Sequence, residues 1–431
     1  MDYRRSLDYL YGLQRFGIKL GLDNVRRMLG RLGYPDEAFP IVHLAGTNGK
    51  GSTAAALAAV TTAAGVRTGL YTSPHLHSFT ERIRIDGRPI GEAEVAGLTD
   101  ELRRKFAGIP ATFFEFTTVL ALEYFRRRRI ELAILETGMG GRLDATNAVC
   151  PRLCLITPIG LDHQEHLGSG LTAIAAEKAG IIKPCVPVLT AVQPPEAEEV
   201  LKRRAGELGS PLLTADRDWR MLPEPEGRCR YSGRLWELAG LSLPLAGVHQ
   251  RQNIGLALAA AECLAADFGI EPVHVRQGLA QLAWPGRLEW FDTRPPVLLD
   301  GAHNPAGIDA LADYLAGLGR PGWSWVAAFK ADKAWQYAVE RLSPHLAGVY
   351  CAPLSDLDCV APQRMRQLAQ KFGLEAVCCA SAGDALRQAV KAAGAGVGVL
   401  VAGSLYLVGE LRPQVVGMAV PTAGTRQVST G

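Results

Sequence analysis

The stretch HLAGTNGKGSTAAALAAV, residues 43–60, decides the fold of the first part of the chain. An apolar run ends just before GTNGKGST, residues 46–53, and an alanine-rich stretch of high helix propensity follows. The order of strand, glycine-rich loop and helix is typical of a phosphate-binding loop. The spacing departs from the general pattern, because Leu44 stands where the first glycine is expected and Gly51 separates the lysine from Ser52.

The glycine-rich loop offers three kinds of group to the phosphates of a nucleotide. Its glycines leave backbone N–H groups free at the start of a helix, Lys50 adds a positive charge, and Ser52 or Thr53 offers a hydroxyl to Mg²⁺. The alternative is a glycine turn with a surface lysine. We predict a nucleotide site, because the strand and the helix that such a loop needs are both in place. The predicted binding residues are Gly46, Thr47, Asn48, Gly49, Lys50, Gly51, Ser52 and Thr53.

Length and composition limit the class of protein. The 431 residues are 48% hydrophobic, which favours two globular domains over a single core. Forty-six basic against 43 acidic residues argue against a general nucleic-acid binder. The nine cysteines contain no Cys-x-x-Cys and lie mostly in apolar runs, which predicts buried free thiols. Because no secretory or membrane-spanning stretch is recognisable, we expect a cytoplasmic protein that binds neither nucleic acid nor membrane.

Apolar strand-like runs alternate with helical segments, which predicts the α/β class, with a mostly parallel sheet in a P-loop ATPase domain. Residues 212–245 change to short polar-alternating runs, typical of a small antiparallel excursion. A segment rich in proline and glycine, 285–296, precedes a second α/β alternation, so a smaller Rossmann-like domain is expected there. The predicted division is 1–292 and 293–412, followed by a flexible tail, 413–431.

The stretch ILETGMGGRLDATN, residues 134–147, places Glu136 at the carboxyl end of a strand, before a glycine-rich turn. Ligands of an open parallel sheet gather at that edge. Glu136 is therefore a candidate Mg²⁺ ligand, and the alternative is a solvent-facing carboxylate. The glycines of this turn fail the Gly-x-Gly-x-x-Gly spacing, so we do not predict a dinucleotide site.

The stretch GLDHQEHLG, residues 160–168, follows a third strand. Its histidines, His163 and His166, are three residues apart and have no cysteine partner, which is weak evidence for zinc. A lone polar histidine is usually structural. We nevertheless keep His163 as a candidate, because its strand and that of Glu136 should both lie beside the strand of the glycine-rich loop.

A series of motifs follows in the order GTNGKGS, TSPHL, ERIRIDG, LETGMGGRLDATN, GLDHQEHLG, AAEKAGIIK, HQRQN, PGR, LDGAHNP and GSLYLVGE. The series resembles the folylpolyglutamate synthase and dihydrofolate synthase family within the wider Mur ligase group, over residues 16–412. Several motifs are eight or more residues long, which excludes chance. GTNGKGS is this family's form of the loop and accounts for its unusual spacing.

The resemblance implies an ATP-dependent amide ligase. It would join L-glutamate to dihydropteroate, and to the γ-carboxylate of reduced folates, through an acyl phosphate intermediate. ATP and two Mg²⁺ sites are implied, and closure of the second domain over the first is expected to precede chemistry. We expect a monomer, because nothing in the sequence demands an oligomer.

The resemblance also implies roles for particular residues. The loop with Lys50 would hold the ATP phosphates, and Asn253 would lie near adenine. The residues implied around one Mg²⁺ are Ser52, Ser73 and Glu136. His163 is implied beside a second Mg²⁺. Lys178 matches the lysine that this family carbamylates. Arg287 is implied near the phosphates, and Asp300 and His303 are implied to come from the second domain and close over ATP. The residues implied to be catalytic are Lys50, Lys178, His163, His303 and Arg287, and those implied to face the pterin are Phe113, Phe114 and Asp144.

One stretch departs from the family. FKADKAW, residues 329–335, has Ala334 where the family usually has a second acid, which leaves the contacts of Lys330, Asp332 and Lys333 open. Three alternatives remain for the function. One is a monofunctional folylpolyglutamate synthase. Another is a Mur ligase of cell-wall synthesis, which would place a UDP-sugar domain before the loop. The third is a P-loop switch or transport ATPase, which would need no DGAHNP motif.

Overall fold

The computed structural model describes residues 1–16, 21–319, 322–355, 358–394 and 397–418. They form two compact units. The first contains Met1–Pro244 and Val248–Trp284, and the second contains Leu245–Gly247 and the residues from Pro285 onward. The main segment of the second unit therefore begins at Pro285 and not at the predicted residue 293.

The first unit contains ten α-helices and eleven strands among its described residues. The helices are α1 (Tyr3–Gly12), α2 (Asp23–Arg31), α3 (Lys50–Ala63), α4 (Glu92–Lys105), α5 (Phe113–Arg127), α6 (Gln164–Leu167), α7 (Leu171–Ala179), α8 (Pro195–Glu207), α9 (Val248–Phe268) and α10 (Pro272–Gln281). The strands are β1 (Ile41–Ala45), β2 (Thr68–Tyr71), β3 (Ile83–Ile85), β4 (Arg88–Pro89), β5 (Leu132–Glu136), β6 (Leu153–Ile156), β7 (Val188–Thr190), β8 (Leu212–Thr214), β9 (Arg220–Pro223), β10 (Cys229–Ser232) and β11 (Glu237–Leu241).

The main sheet of the first unit has the order β4-β3-β2-β5-β1-β6-β7-β8. It is parallel from β2 to β8, and β3 and β4 add an antiparallel edge. The central strands β5, β1 and β6 are buried along their whole length, as expected for continuous apolar runs. The chain passes from β1 to β2 on one side and reaches β6 on the other, so the strand order reverses at β1. Such a reversal opens a ligand-binding crevice at the carboxyl end of the strand.

The predicted antiparallel excursion is confirmed as a separate three-stranded sheet, β11-β10-β9. Glu262 of α9 attaches this sheet to the helix, because its buried carboxylate accepts hydrogen bonds from the Tyr231 hydroxyl at 3.1 Å and from three backbone amides. Those amides belong to Arg234, Leu235 and Trp236.

The second unit confirms the expected smaller α/β domain. Its strands are β12 (Glu289–Phe291), β13 (Val297–Asp300), β14 (Trp323–Ala327), β15 (Leu346–Cys351), β16 (Glu375–Cys378) and β17 (Gly398–Ala402), and its helices are α11 (Pro305–Gly317), α12 (Trp335–Leu342), α13 (Pro362–Lys371), α14 (Ala382–Ala392) and α15 (Leu405–Met418). The sheet order is β12-β13-β17-β14-β15-β16, and it is parallel except for β12.

Two of the predicted boundaries differ from the structure for identifiable reasons. Strand β12 pairs with β13, so residues 289–291 belong to the second sheet although they precede the predicted boundary. Helix α15 continues to Met418 in spite of Pro413, and its buried face includes Leu411 and Val415. The first part of the predicted tail is therefore helical, and residues 419–431 lie outside the described residues.

Two expectations about composition can be compared with the fold. Every cysteine is a free thiol, as predicted, but the expectation of burial is wrong for three of them, and Cys359 and Cys378 are only partly buried. The exposed cysteines are Cys150, Cys185 and Cys263. None of the helices in the described part of the chain is long and apolar enough to cross a membrane.

Candidate active site

The glycine-rich loop joins β1 to α3 in a conformation that only glycine adopts easily. Gly46 has a φ of 151° and Gly49, which precedes the first residue of α3, has a φ of 86°. Space is also lacking, because a Cβ atom on Gly46 would lie 1.8 Å from Oγ1 of Thr157. A Cβ atom on Gly49 would lie 2.1 Å from Oδ1 of Asn253. The first turn of α3 thus presents its backbone amides at the switch point of the sheet.

Two lysine side chains meet at the carbonyl oxygen of Gly46. Lys50 Nζ donates to it at 3.1 Å, and Lys178 Nζ donates to it at 2.7 Å. Lys178 is only 4% exposed. Burial, with a smaller contribution from the positive charge of Lys50, lowers the pKa of Lys178 to about 7. Lys178 is therefore not an exposed surface lysine.

Glu136 lies next to the glycine-rich loop. It is the last residue of β5, and its register partner on β1 is Leu44. Its side chain is buried, and Oε2 accepts a hydrogen bond from the backbone amide of Ser73 at 3.0 Å. The alternative of a solvent-facing carboxylate is wrong. The structure thus brings together Glu136 and Ser73, two of the three residues expected around the first Mg²⁺.

The third residue of that expected set, Ser52, is buried in the first turn of α3. Its neighbour Thr53 has a different role, because its hydroxyl donates to the backbone oxygen of Asn253 at 3.2 Å. The Asn253 amide group in turn donates to Gln250 Oε1 at 2.9 Å. Asn253 therefore supports the loop from α9, whatever else it binds.

His163 precedes α6 in the left-handed conformation, with a φ of 49°. Its amide donates to Oδ1 of Asp162 at 2.9 Å, and its ring Nε2 lies 3.9 Å from Oδ2 of the same carboxylate. His166 lies in the single turn of α6, and its amide donates to the His163 carbonyl at 2.9 Å. Within the described ranges, no group of three or more His, Cys, Asp and Glu side chains is arranged to hold a metal ion.

Asp144 is a buried carboxylate that organises the turn after β5. Its Oδ1 accepts from the amide and the hydroxyl of Thr146 at 3.0 and 2.5 Å, and its Oδ2 accepts from the amide of Met139 at 2.9 Å. Burial raises the pKa of Asp144 above its usual value, and these hydrogen bonds offset only part of that rise. The hydroxyl of Thr146 also bonds to Nε2 of the fully buried His43 at 2.8 Å.

The same turn is docked on the end of α7, the helix that carries Lys178. The Arg142 amide donates to the Glu177 carbonyl at 2.7 Å, and the two side chains form an ion pair at 2.8 Å. A Cβ atom on Gly141 would lie 2.7 Å from that carbonyl oxygen, so glycine permits this close approach. The turn therefore determines where the Lys178 backbone lies.

Phe113 and Phe114 begin α5 and lie in different surroundings. Phe113 stacks on Tyr11, with 5.6 Å between ring centroids, and the Arg82 guanidinium carbon lies 5.2 Å from its ring. Phe114 lies 6.0 Å from the Tyr71 ring, and a Cβ atom on Gly138 would lie 2.6 Å from its Cζ. Phe114 thus packs against the turn that follows Glu136, whereas Phe113 packs against Tyr11 and Arg82.

In the second unit, the structure brings Arg287, Asp300 and His303 into one turn region. Asp300 ends β13, and its carboxylate accepts backbone amides from Leu288 at 2.9 Å and Ala302 at 2.8 Å. A Cβ atom on Gly301 would lie 2.6 Å from Nη1 of Arg287. His303 Nδ1 is 2.7 Å from the Gly301 carbonyl oxygen. Asp300 therefore joins the backbone just after Arg287 to the turn that follows β13, a supporting role that its sequence position did not reveal.

The contacts left open in the second unit are also defined. The carboxylate of Asp332 lies 3.7 Å from the ammonium groups of both Lys330 and Lys333. Lys333 is the more buried of the two, with 7% of its side chain exposed. Asp332 therefore forms an ion pair with both lysines of this stretch.

The sequence did not indicate which residues contact the glycine-rich loop. Thr157 lies against Gly46, and the Pro158 carbonyl accepts the amides of Thr47 and Asn48 at 3.0 and 3.3 Å. The Trp284 ring lies against Gly51. The run TPIG after β6 signals a strand end, but no local pattern indicates which loop it would contact.

Two family models define the class of protein. Residues 44–261 match the Mur ligase middle domain, and residues 286–405 match the Mur ligase glutamate ligase domain. The first range lies almost entirely in the unit that holds the glycine-rich loop, and the second range lies in the smaller second unit.

The chain belongs to the folylpolyglutamate synthase and dihydrofolate synthase family of Mur ligases. It is 34% identical to the folylpolyglutamate synthase of Lacticaseibacillus casei, over 97% of this chain and 99% of that protein. Escherichia coli FolC in complex with DHPP and ADP superposes with a TM-score of 0.87 at 30% identity, over 96% of this chain and 98% of that one. The bifunctional folylpolyglutamate synthase/dihydrofolate synthase of Yersinia pestis, complexed with AMPPNP and a Mn ion, has a TM-score of 0.86 at 31% identity and the same two coverages.

Proposed function

We propose that this chain is an ATP-dependent ligase that adds L-glutamate to dihydropteroate and to the γ-carboxylate of reduced folates, releasing ADP and phosphate. The observation that carries the proposal is the convergence of Lys50, Lys178 and the first turn of α3 at Gly46, beside the Glu136 carboxylate. Helix amides and cationic side chains at a switch point suit a polyphosphate. Family membership supplies the choice of amide ligation over other phosphate chemistry.

A carboxylate must be activated before an amine can attack it. Transfer of the γ-phosphoryl group of ATP to the carboxylate gives an acyl phosphate, and attack by the glutamate amine then expels phosphate. Lys50 is proposed to balance the charge of the two anions as they approach. Arg287 and His303 of the second unit are proposed to reach the phosphates of the same nucleotide.

The donor atoms around Glu136 suit a hard divalent cation. Carboxylate and hydroxyl oxygens are ligands that Mg²⁺ prefers, and Glu136, Ser73 and Ser52 would supply them. When bound, Mg²⁺ offsets the negative charge that builds up during phosphoryl transfer. The structure of the Yersinia pestis relative with a Mn ion supports a divalent metal in this family.

We propose a second Mg²⁺ beside His163 and a carbamate on Lys178. A neutral amine is the form that adds carbon dioxide, releasing a proton and forming a carbamate whose oxygens could ligate a metal. Burial favours that neutral form, since the pKa of Lys178 is lowered to about 7. The second Mg²⁺ site would require the Lys178 carbamate, whereas the first Mg²⁺ site requires no modified residue.

Phe113, Phe114 and Asp144 are proposed to form the pterin site. The two rings offer stacking surfaces. Asp144 contributes more by shaping the turn than by presenting a free carboxylate, because its oxygens already accept three hydrogen bonds.

The cytoplasmic location and the monomeric state stay predictions. Sedimentation of the purified chain would test the monomeric state.

Product analysis tests the proposed function. The purified chain is given ATP, glutamate and either dihydropteroate or tetrahydrofolate, and ADP and the glutamylated products are counted. We expect one ADP per amide bond with both acceptors. Product from tetrahydrofolate alone would establish a monofunctional folylpolyglutamate synthase, and ADP release that needs neither acceptor nor glutamate would favour a switch or transport ATPase.

A further inference from the structure

Trp284, the last residue of the first unit, reaches the start of the phosphate-loop helix. Helix α10 runs back along α3, because Gly278 lies against the backbone of Val60, with 2.7 Å from its added Cβ to the Val60 Cα. The chain leaves α10 at Gln281 and places the Trp284 ring on Gly51. The contact joins residues that are far apart in the sequence.

The indole occupies the space where a side chain at position 51 would lie. A Cβ atom on Gly51 would be 3.0 Å from Cζ2 and 3.2 Å from Nε1 of Trp284. Any other residue there would push the half-buried ring by a few tenths of an ångström. Gly51 is the residue that separates Lys50 from Ser52, and the ring gives a physical reason for a glycine at that position.

Arg84 connects the same ring to a second loop. Its guanidinium carbon lies 5.3 Å from the ring centroid of Trp284, within the range of a cation–π contact. Its Nε donates to the carbonyl oxygen of Glu81 at 3.1 Å. Arg84 lies on β3, the antiparallel strand next to β2.

Glu81 in turn holds the loop that follows Ser73. Its carboxylate accepts the backbone amides of Leu76, His77 and Ser78 at 2.9, 3.0 and 2.8 Å. Burial alone would raise the pKa of Glu81, but these three hydrogen bonds lower it, so the carboxylate stays ionised. At the start of the loop, the Ser73 amide donates to Glu136.

We propose that Trp284 and Arg84 are positioning residues for the nucleotide site. The ring holds Gly51 and therefore the neighbouring Lys50 and Ser52, while Arg84 ties the ring to the loop of Ser73. Neither residue is assigned a contact with substrate. This inference rests on the proposed function only in naming the nucleotide as the ligand.

Direct nucleotide binding tests the positioning role without turnover. Calorimetric titration with AMPPNP and Mg²⁺ would compare the wild type with Trp284→Leu, Trp284→Phe and the control Trp236→Leu, in the turn between β10 and β11. We expect Trp284→Leu to raise the dissociation constant about tenfold or more, and Trp284→Phe, which keeps a ring, to stay within about threefold. The KM for the folate should change by less than about twofold, because the pterin site does not depend on Gly51.

A double-mutant cycle tests the link through Arg84. Arg84→Met keeps the apolar stem and removes the guanidinium. We expect the double variant Arg84→Met, Trp284→Leu to bind nucleotide no more weakly than Trp284→Leu alone, because the Arg84 contact acts through the ring. Losses that multiply would overturn the link.

The remaining outcomes separate this inference from the proposed function. If the wild type binds AMPPNP and Trp284→Leu binds it equally well, the positioning role is wrong while the function stands. If Trp284→Leu loses affinity for nucleotide and folate together, with a lower unfolding midpoint and no rescue by phenylalanine, the ring is merely structural. A wild type that binds nucleotide but makes no amide contradicts the proposed function alone.

Discussion

Two ammonium groups on one carbonyl oxygen are the most informative feature at the scale of the residue. Lys50 and Lys178 both donate to Gly46, but their surroundings differ. Lys178 is buried beneath the loop and its pKa is lowered to about 7, whereas Lys50 also bonds to the Thr47 carbonyl at 3.2 Å, on the loop itself. The two lysines therefore suit different tasks, a fixed cation for Lys50 and a reactive amine for Lys178.

Lys50→Ala should abolish ligation while leaving the fold intact. The change removes the cation proposed to balance the transferring phosphoryl group, so we expect kcat/KM to fall by about 100-fold or more. Lys202→Ala, at an exposed ion pair on α8, is the matched control. A Lys50→Ala protein with a normal unfolding midpoint and activity within about tenfold of wild type would remove the residue from the site.

Lys178 should carry a carbamate whose occupancy depends on pH. At a fixed pressure of carbon dioxide, the carbamate forms from the neutral amine, so its occupancy should fall as the pH drops through about 7, where the ammonium form returns. Carbon-13 NMR of protein in labelled bicarbonate would detect a carbamate signal. The signal should vanish in Lys178→Met and persist in Lys183→Met, a nearby lysine whose pKa is also lowered by burial. Activity of Lys178→Ala that short carboxylic acids do not raise would argue against the role.

At the scale of the element, the turn from Gly138 to Asn147 follows β5 and packs against α7, the helix that carries Lys178. Asp144 holds the turn from inside, and Arg142 fastens it to α7. Thr146 links Asp144 to His43, whose pKa burial lowers to about 3, so the imidazole is neutral. Within the described part of the chain, His43 Nδ1 has no hydrogen-bond partner, so the bond between Nε2 and Thr146 is the contact that satisfies the ring.

Thr146→Val should destabilise the first unit. Loss of the hydroxyl leaves a buried carboxylate and a buried imidazole short of a partner, so we expect about 1–3 kcal/mol less free energy of unfolding in urea. Thr146→Ser should retain most of the stability. Thr99→Val on α4 is the control, because the buried Thr99 hydroxyl has no hydrogen-bond partner among the described residues and its removal should cost little. Equal losses for the variants at 146 and 99 would contradict the linking role.

At the scale of the whole molecule, the proposed reaction needs groups from both units. His303→Ala should lower kcat more than it raises the KM for folate, because His303 is proposed to act on the nucleotide. Asp300→Ala should lower kcat and also the unfolding midpoint of the second unit, since its carboxylate accepts the amides of Leu288 and Ala302. Steady-state kinetics with thermal unfolding would separate the two effects. If His303→Ala altered only stability, LDGAHNP would be a packing motif.

Most of the fold could be predicted from the sequence because it rests on local periodicity. Each strand of the parallel sheets is a short apolar run, and each intervening segment has helical spacing, so the α/β class and the smaller second unit followed. The division near residue 285 and the length of α15 did not follow. Strand β12 belongs to the second unit only through its pairing with β13, and a proline within α15 reads as a helix end.

The sequence by itself determined the glycine-rich loop, the strand ends that surround it and, through the motif series, the family. Those features depend on neighbouring residues, so they are visible without the fold. Only the tertiary structure decided which distant side chains support the loop. Thr157, Asn253 and Trp284 reach its three glycines at 46, 49 and 51 because strand order and helix packing bring separate segments to the carboxyl end of β1. Those contacts are steric and directional, and no spacing along the chain encodes them.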